Sequence, residues 1–169
     1  MRILVPGALA LLLLTASTLS ADEWNGQWFS EESRVSTCPN GYALVGLRCA
    51  GRYCDNKQLI CRSYGSGYDP TARYRWSRSF SEEPPSQEMS DSEVVSGMSC
   101  AGRYCDNLQL RFLRSPRIEN TRSCRWTQEK LSEEERERQC PAGRFVSGIR
   151  CQGPYCDDLF LYCCDVRRR

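Results

Sequence analysis

The stretch Cys49-Ala50-Gly51-Arg52-Tyr53-Cys54-Asp55-Asn56 recurs as Cys100-Ala101-Gly102-Arg103-Tyr104-Cys105-Asp106-Asn107. It returns again as Cys151-Gln152-Gly153-Pro154-Tyr155-Cys156-Asp157-Asp158, each copy 51 residues after the last. The register holds outward in both directions. Gly46, Gly97 and Gly148 precede the three copies, and Leu59, Leu110 and Leu161 follow them. Further upstream, Ser30-Glu31-Glu32 returns as Ser81-Glu82-Glu83 and Ser132-Glu133-Glu134. A fixed period of this length marks a chain assembled from one repeated unit. The units lie near residues 24–74, 75–125 and 126–169, forming one domain over residues 22–169.

Within a unit the elements are short and β-like. Ala43–Cys49, Val94–Cys100 and Phe145–Cys151 are apolar, β-branched or aromatic runs, each carrying one glycine. A glycine inside such a run signals a bulge or a close backbone approach. Leu108, Leu110 and Phe112 alternate with Gln109 and Arg111, which places the apolar set on one face of a strand. Lys57–Cys61 and Leu159–Cys163 occupy the same place in the other units. Between the two strands lies the quoted turn, whose glycine supplies backbone freedom and whose Asp and Asn bond nearby backbone groups. Gly65-Ser66-Gly67 and Pro116 mark links, and Pro84-Pro85 a loop. Glu129–Gln139 has a helix-like composition, but its register with the other units assigns it to a charged loop.

Composition narrows the chemistry. The 169 residues include 12 cysteines and no histidine, with a formal net charge of +2. Without histidine there is no Ser-His-Asp triad, no Cys-His pair and no histidine-built zinc site. The near balance of 23 basic and 21 acidic residues argues against a nucleic-acid partner. At the start, Arg2 precedes the apolar run Leu9–Leu14 and the small, weakly polar segment Thr15–Ala21. This is the pattern of a secretory signal peptide over residues 1–21, too short to span a bilayer. The expected location is therefore secreted or extracellular (periplasmic or cell-surface in a bacterium), with oxidised cysteines and no transmembrane segment.

The repeats assign the disulfides, where spacing alone leaves about ten thousand connectivities open. Cys38 and Cys61 recur as Cys140 and Cys163, whereas the second unit holds Met89 and Phe112 at those positions. Two cysteines lost together in one copy are most simply bonded to each other in the remaining copies. The pairs are then Cys38–Cys61 and Cys140–Cys163, with Met89 expected to pack on Phe112. Cys49–Cys54, Cys100–Cys105 and Cys151–Cys156 close the three turns, and elimination pairs Cys124 with Cys164. Loop entropy makes a 24-residue bridge worth about 3.5 kcal/mol and a six-residue bridge about 2. Thiolate metal binding is not expected, since C-x4-C lacks zinc-knuckle spacing and an exported chain is oxidised; no metal and no cofactor are expected.

Trp24-Asn25-Gly26-Gln27-Trp28, Cys38-Pro39-Asn40-Gly41-Tyr42, a glycine-bearing strand, an Asp-Asn turn and a strand ending in Cys61 form one ordered set. This set, with the closing Cys163-Cys164, resembles the repeat of the vitelline membrane outer layer protein family over essentially the whole mature chain. The resemblance implies an all-β β-prism: three Greek-key sheets with pseudo-threefold symmetry around a shared core. It also implies that the first and last cysteines of a unit are bonded, in agreement with the pairing above. The chain departs from that family in its turn, where C-x-G-x-Y-C-D-N with its own small bridge replaces a longer D-D-x-x-x-N loop. The paired tryptophans are intact only in the first unit, because Trp76 and Trp126 stand alone in the others.

The functional expectation is a non-catalytic, lectin-like module that binds carbohydrate or a glycosylated surface. The candidate residues are Tyr53, Asp55 and Asn56, with Tyr104, Asp106 and Asn107, and Tyr155, Asp157 and Asp158. An aromatic ring takes the apolar face of a sugar while amide and carboxylate groups take its hydroxyls. Three such turns would bind multivalently, and Arg52 and Arg103 would favour acidic glycans at two of them. Turn chemistry alone also accounts for Asp, Asn and Tyr here. The alternatives are a structural or protective coat, or a protein-binding inhibitor or targeting module with an extracellular protein partner. A glycan-acting enzyme using Glu31-Glu32, Glu82-Glu83 and Glu133-Glu134 is the minor reading, because three near-identical acidic loops do not provide the two different environments that a catalytic pair needs.

Overall fold

A computed structural model describes residues 23–65, 67–84 and 86–168. The expected leader, Met1–Ala21, lies outside the described residues. The chain is all-β and disulfide-rich. Its twelve strands are β1 (Glu23–Asn25), β2 (Val35–Thr37), β3 (Tyr42–Ala50), β4 (Asn56–Ser63), β5 (Arg73–Trp76), β6 (Gln87–Met89), β7 (Val94–Ala101), β8 (Asn107–Arg114), β9 (Ile118–Trp126), β10 (Glu137–Gln139), β11 (Arg144–Gln152) and β12 (Asp158–Arg168). Each unit thus contributes four strands. Of the stretch expected as a charged loop, Glu129–Gln139, residues 129–136 are loop with one isolated bridge at Leu131, but Glu137–Gln139 is strand β10, because it pairs with β3 of the first unit, which the register within its own unit does not reveal.

The strands assemble into three four-stranded sheets, ordered β1-β4-β3-β10, β5-β8-β7-β2 and β9-β12-β11-β6. No sheet belongs to one unit. Each unit keeps its first, third and fourth strands and gives its second to a neighbour. The first unit sends β2 to the sheet of the second, the second sends β6 to the third, and the third returns β10 to the first. All pairings are antiparallel, and β3, β7 and β11 approach one another pairwise about the core.

The strand glycines make this exchange possible. Each long hairpin slips register there, between Leu44 and Gly46, Val95 and Gly97, and Val146 and Gly148. A Cβ on Gly46 would stand 2.6 Å from the Arg138 carbonyl oxygen, and one on Gly148 only 2.4 Å from Met89 Cβ. The received strand therefore lies where any side chain would be. Both readings of these glycines, bulge and close approach, apply at once.

The core has two parts. The larger one collects Leu44, Leu47, Leu59, Met98, Leu108, Leu110, Phe112, Ile149, Leu159, Leu161 and the turn cysteines. A smaller cluster gathers Ala43, Val94 and Phe145, at the strand ends far from the turns, with Val45, Ile60, Tyr64 and Leu113. Beside it, buried Asp69 accepts hydrogen bonds from Tyr64, Thr71 and Ser115, joining the link after the first unit to the second. Burial pushes this carboxyl up, but those bonds outweigh it and hold it at about 2.

The disulfides are Cys38–Cys61, Cys49–Cys54, Cys100–Cys105, Cys124–Cys164, Cys140–Cys163 and Cys151–Cys156, the pairing reached from the repeats. The substitute expected in the second unit is not found. Met89 is 41% exposed, and the buried Phe112 ring is covered by the Arg75 guanidinium, 4.5 Å from its centroid. Sitting on an edge strand, β6, Met89 turns largely to solvent, and a cation–π contact takes over the ring.

Candidate functional site

The three quoted turns are not three separate sites. The rings of Tyr53, Tyr104 and Tyr155 form one cluster with centroids 5.0–5.2 Å apart, all three half-buried. This separation and the tilted or edge-on geometry are those of mutually packed aromatics. Three independent, multivalent tyrosine sites are therefore replaced by a single face.

The local chemistry explains why the turn takes this form. Gly51, Gly102 and Gly153 have φ of 78°, 74° and 71°, and the next tyrosine and cysteine are also left-handed. A Cβ on any of these glycines would lie 2.0–2.1 Å from the Oδ1 of Asp55, Asp106 or Asp157. Glycine is thus required twice, by its backbone angle and by the carboxylate folded over it. Asn56 and Asn107 donate to that same Oδ1 at 2.8 and 2.7 Å. In the third turn Asp158 replaces the amide and pairs with Lys130 at 2.8 Å. Among the described residues Asp157 Oδ1 is buried without a partner, and burial, then the neighbouring Asp158 charge, pushes its carboxyl up. The predicted Asp and Asn residues therefore serve the turn itself.

The acidic triplets have a role that sequence reasoning missed. Glu31 accepts a hydrogen bond from the Tyr104 backbone N–H at 2.9 Å, Glu82 from Tyr155 at 3.3 Å, and Glu133 from Tyr53 at 3.2 Å. Each unit therefore supports the next unit's turn, cyclically, and in the same direction as the exported strands. The only signal available was that these glutamates share the 51-residue register of the turns. Their acceptor function was hidden because the partners lie 73–80 residues away.

Below the turns sits a charge that the repeats do not share. Lys57 is fully buried, where the other units carry Leu108 and Leu159, and its Nζ donates to the Cys54 carbonyl at 2.8 Å. Desolvation lowers its pKa to about 7, against the opposing pull of Asp55 and Asp106. Above, the Arg52 guanidinium lies 4.9 Å over the Tyr53 ring, and that of Arg103 lies 5.1 Å over Tyr104 and 5.8 Å over Tyr155. Both arginines are exposed, and Pro154 holds the third equivalent place. Glu82 lies beside Cys151 and Cys156 at metal-ligating spacing, but both sulfurs belong to a disulfide and offer no thiolate.

Three seams separate the sheets, each flanked by two consecutive edge strands: β1 and β2, β5 and β6, β9 and β10. The first holds a cavity of about 380 Å³ beside Trp24 and Trp28, the third one of about 320 Å³ beside Trp126. Trp24 and Trp126 are equivalent in the repeat, and Arg75 takes their place in the second unit.

Among the described residues, no helix is long and apolar enough to cross a membrane. The six disulfides are compatible with an extracellular protein. No known protein family, no curated protein and no solved structure matches the chain.

Proposed function

We propose that this protein is a non-catalytic extracellular module that binds carbohydrate, or a glycosylated surface, through the face formed by its three turns. The observation that carries this reading is the convergence of Tyr53, Tyr104 and Tyr155 into one cluster topped by two exposed guanidinium groups. Aromatic edges and faces offer apolar contact to a sugar ring, and Arg52 and Arg103 offer paired donors to a carboxylate or sulfate. The site is single, so affinity comes from one shared face and not from avidity among three turns. The likeness of the repeat to the vitelline membrane outer layer family supports an extracellular role and no particular ligand.

A structural or protective role is the second reading, favoured by the cyclic strand exchange and the six bridges. A glycan array probed with the oxidised chain separates the two. Binding readings predict capture of sulfated or carboxylated glycans, reduced at least tenfold by Arg52→Ala/Arg103→Ala at unchanged melting temperature. Silence across the array would remove the carbohydrate reading and leave the structural one.

A further inference from the structure

We infer that the seam between β1 and β2 is a second binding site, built for an uncharged sugar ring. Its cavity of about 380 Å³ falls within the range of small-molecule sites. Trp24, Trp28, Phe29 and Val35 supply its apolar wall, and Gln27, Ser33, Ser36 and Thr37 its polar groups. No lining residue is charged. Trp28 is 46% exposed and Val35 52%, so a large aromatic surface faces solvent beside the cavity.

Ser36 points to the ligand's chemistry. It is only 9% exposed and lines the cavity. A Cβ on Gly26 would stand 3.0 Å from the Trp24 ring and 3.2 Å from Ser36 Oγ, so ring and hydroxyl converge over that glycine. Gln27 and Thr37 line the same cavity. An apolar peptide side chain filling the cavity would bury these donors and acceptors without partners, at a cost of about 1–3 kcal/mol each. A sugar satisfies both walls, with C–H groups on indole and hydroxyls on Gln27, Ser36 and Thr37.

The other seams differ in the one property that selects the ligand. The third keeps the tryptophan but brings Arg125, Glu129 and Arg138 to the lining. In the second, Arg75 is held by Glu93 and lies on Phe112. The first seam is therefore the uncharged one of the three. This site is separate from the turn face, and either can fail alone.

The test is tryptophan fluorescence of the oxidised chain titrated with mannotriose, N-acetyllactosamine and cellotetraose. At least one is expected to give a saturable shift. Trp28→Ala should weaken it at least tenfold, as should Val35→Glu, which puts a charge at an exposed rim position with little effect on folding. Arg52→Ala/Arg103→Ala should leave it unchanged. No saturable response to any of the three, full retention in both seam variants, or loss in the arginine variant would each overturn the site. A saturable response to an apolar peptide without any to sugars would overturn the ligand class. Loss of acidic-glycan capture with retained neutral-sugar binding would instead remove the turn-face reading alone.

Discussion

The turn cluster and the seams are made from the same three units by opposite means. At the turns, near-identical residues meet: three glycines, three tyrosines, three small bridges and three glutamates borrowed from a neighbour. At the seams the residues diverge, with Trp24, Arg75 and Trp126 at one repeat position and Ser36, Gln87 and Arg138 at another. Positions that must touch their own copies are held alike by mutual packing. Positions that face solvent across an edge are free to differ, and distinct ligand chemistry can arise there.

Lys57 is the exception at the turns, and breaking it should have the largest effect. Lys57→Leu restores the residue type of the other two units and removes a buried amine. A tenfold change in proton affinity corresponds to about 1.4 kcal/mol, and burial lowers this amine from 10.5 to about 7, so the gain near neutral pH should amount to several kcal/mol. The pH dependence gives a second signature. The folded amine loses its proton near 7 and the unfolded one near 10.5, so between those values the unfolded chain binds more protons. Stability of the parent should therefore rise with pH across that window, and the penalty should be complete below it. Denaturant melts from pH 6 to 10 should show this rise in the parent and not in the variant.

Next in size is the bridge that ties β2, after its departure to another sheet, back to its own unit. Cys38→Ala/Cys61→Ala should cost about 3.5 kcal/mol, against about 2 for Cys100→Ala/Cys105→Ala. Equal losses would mean that loop entropy is not what separates seam from turn. Gly102→Ala should cost about 2 kcal/mol through the left-handed backbone and displacement of Asp106, measured by chemical denaturation. The smallest change is expected from Asp158→Asn, which returns the missing amide to Asp157. A modest rise in melting temperature is expected, with the lost Lys130 pair offsetting part of it.

The sequence made the elements legible to different depths. Period and alternation revealed the two central strands of each unit but not the edge strands β1, β2, β5, β6, β9 and β10, and the paired absence of two cysteines in the second unit led to the bridges. The exchange of β2, β6 and β10 was not legible, because a perfect register says which positions are equivalent and not which copy receives a strand. For the same reason three Tyr-Cys-Asp turns read alike whether they are scattered or convergent. The seam cavity escaped notice because its walls, Trp24–Phe29 and Ser33–Thr37, are short segments whose pairing partners lie in two different sheets. Met89 failed for a related reason: its equivalence to Cys38 and Cys140 conveyed position, while the absence of a bridge freed the side chain to leave the core.

The cyclic gift of strands bears on how the molecule is made. The sheet of the first unit is completed by Glu137–Gln139, so a chain still emerging from the ribosome cannot close it until the third unit has been synthesised as far as Gln139. A chain cut after the second unit would carry an open edge at β3 and an unreciprocated obligation to pass β6 onward. Such fragments have a donor at one side and an acceptor at the other, the head-to-tail arrangement that grows rings or filaments. The last unit is thus the clasp that turns a potential polymer into a closed single molecule.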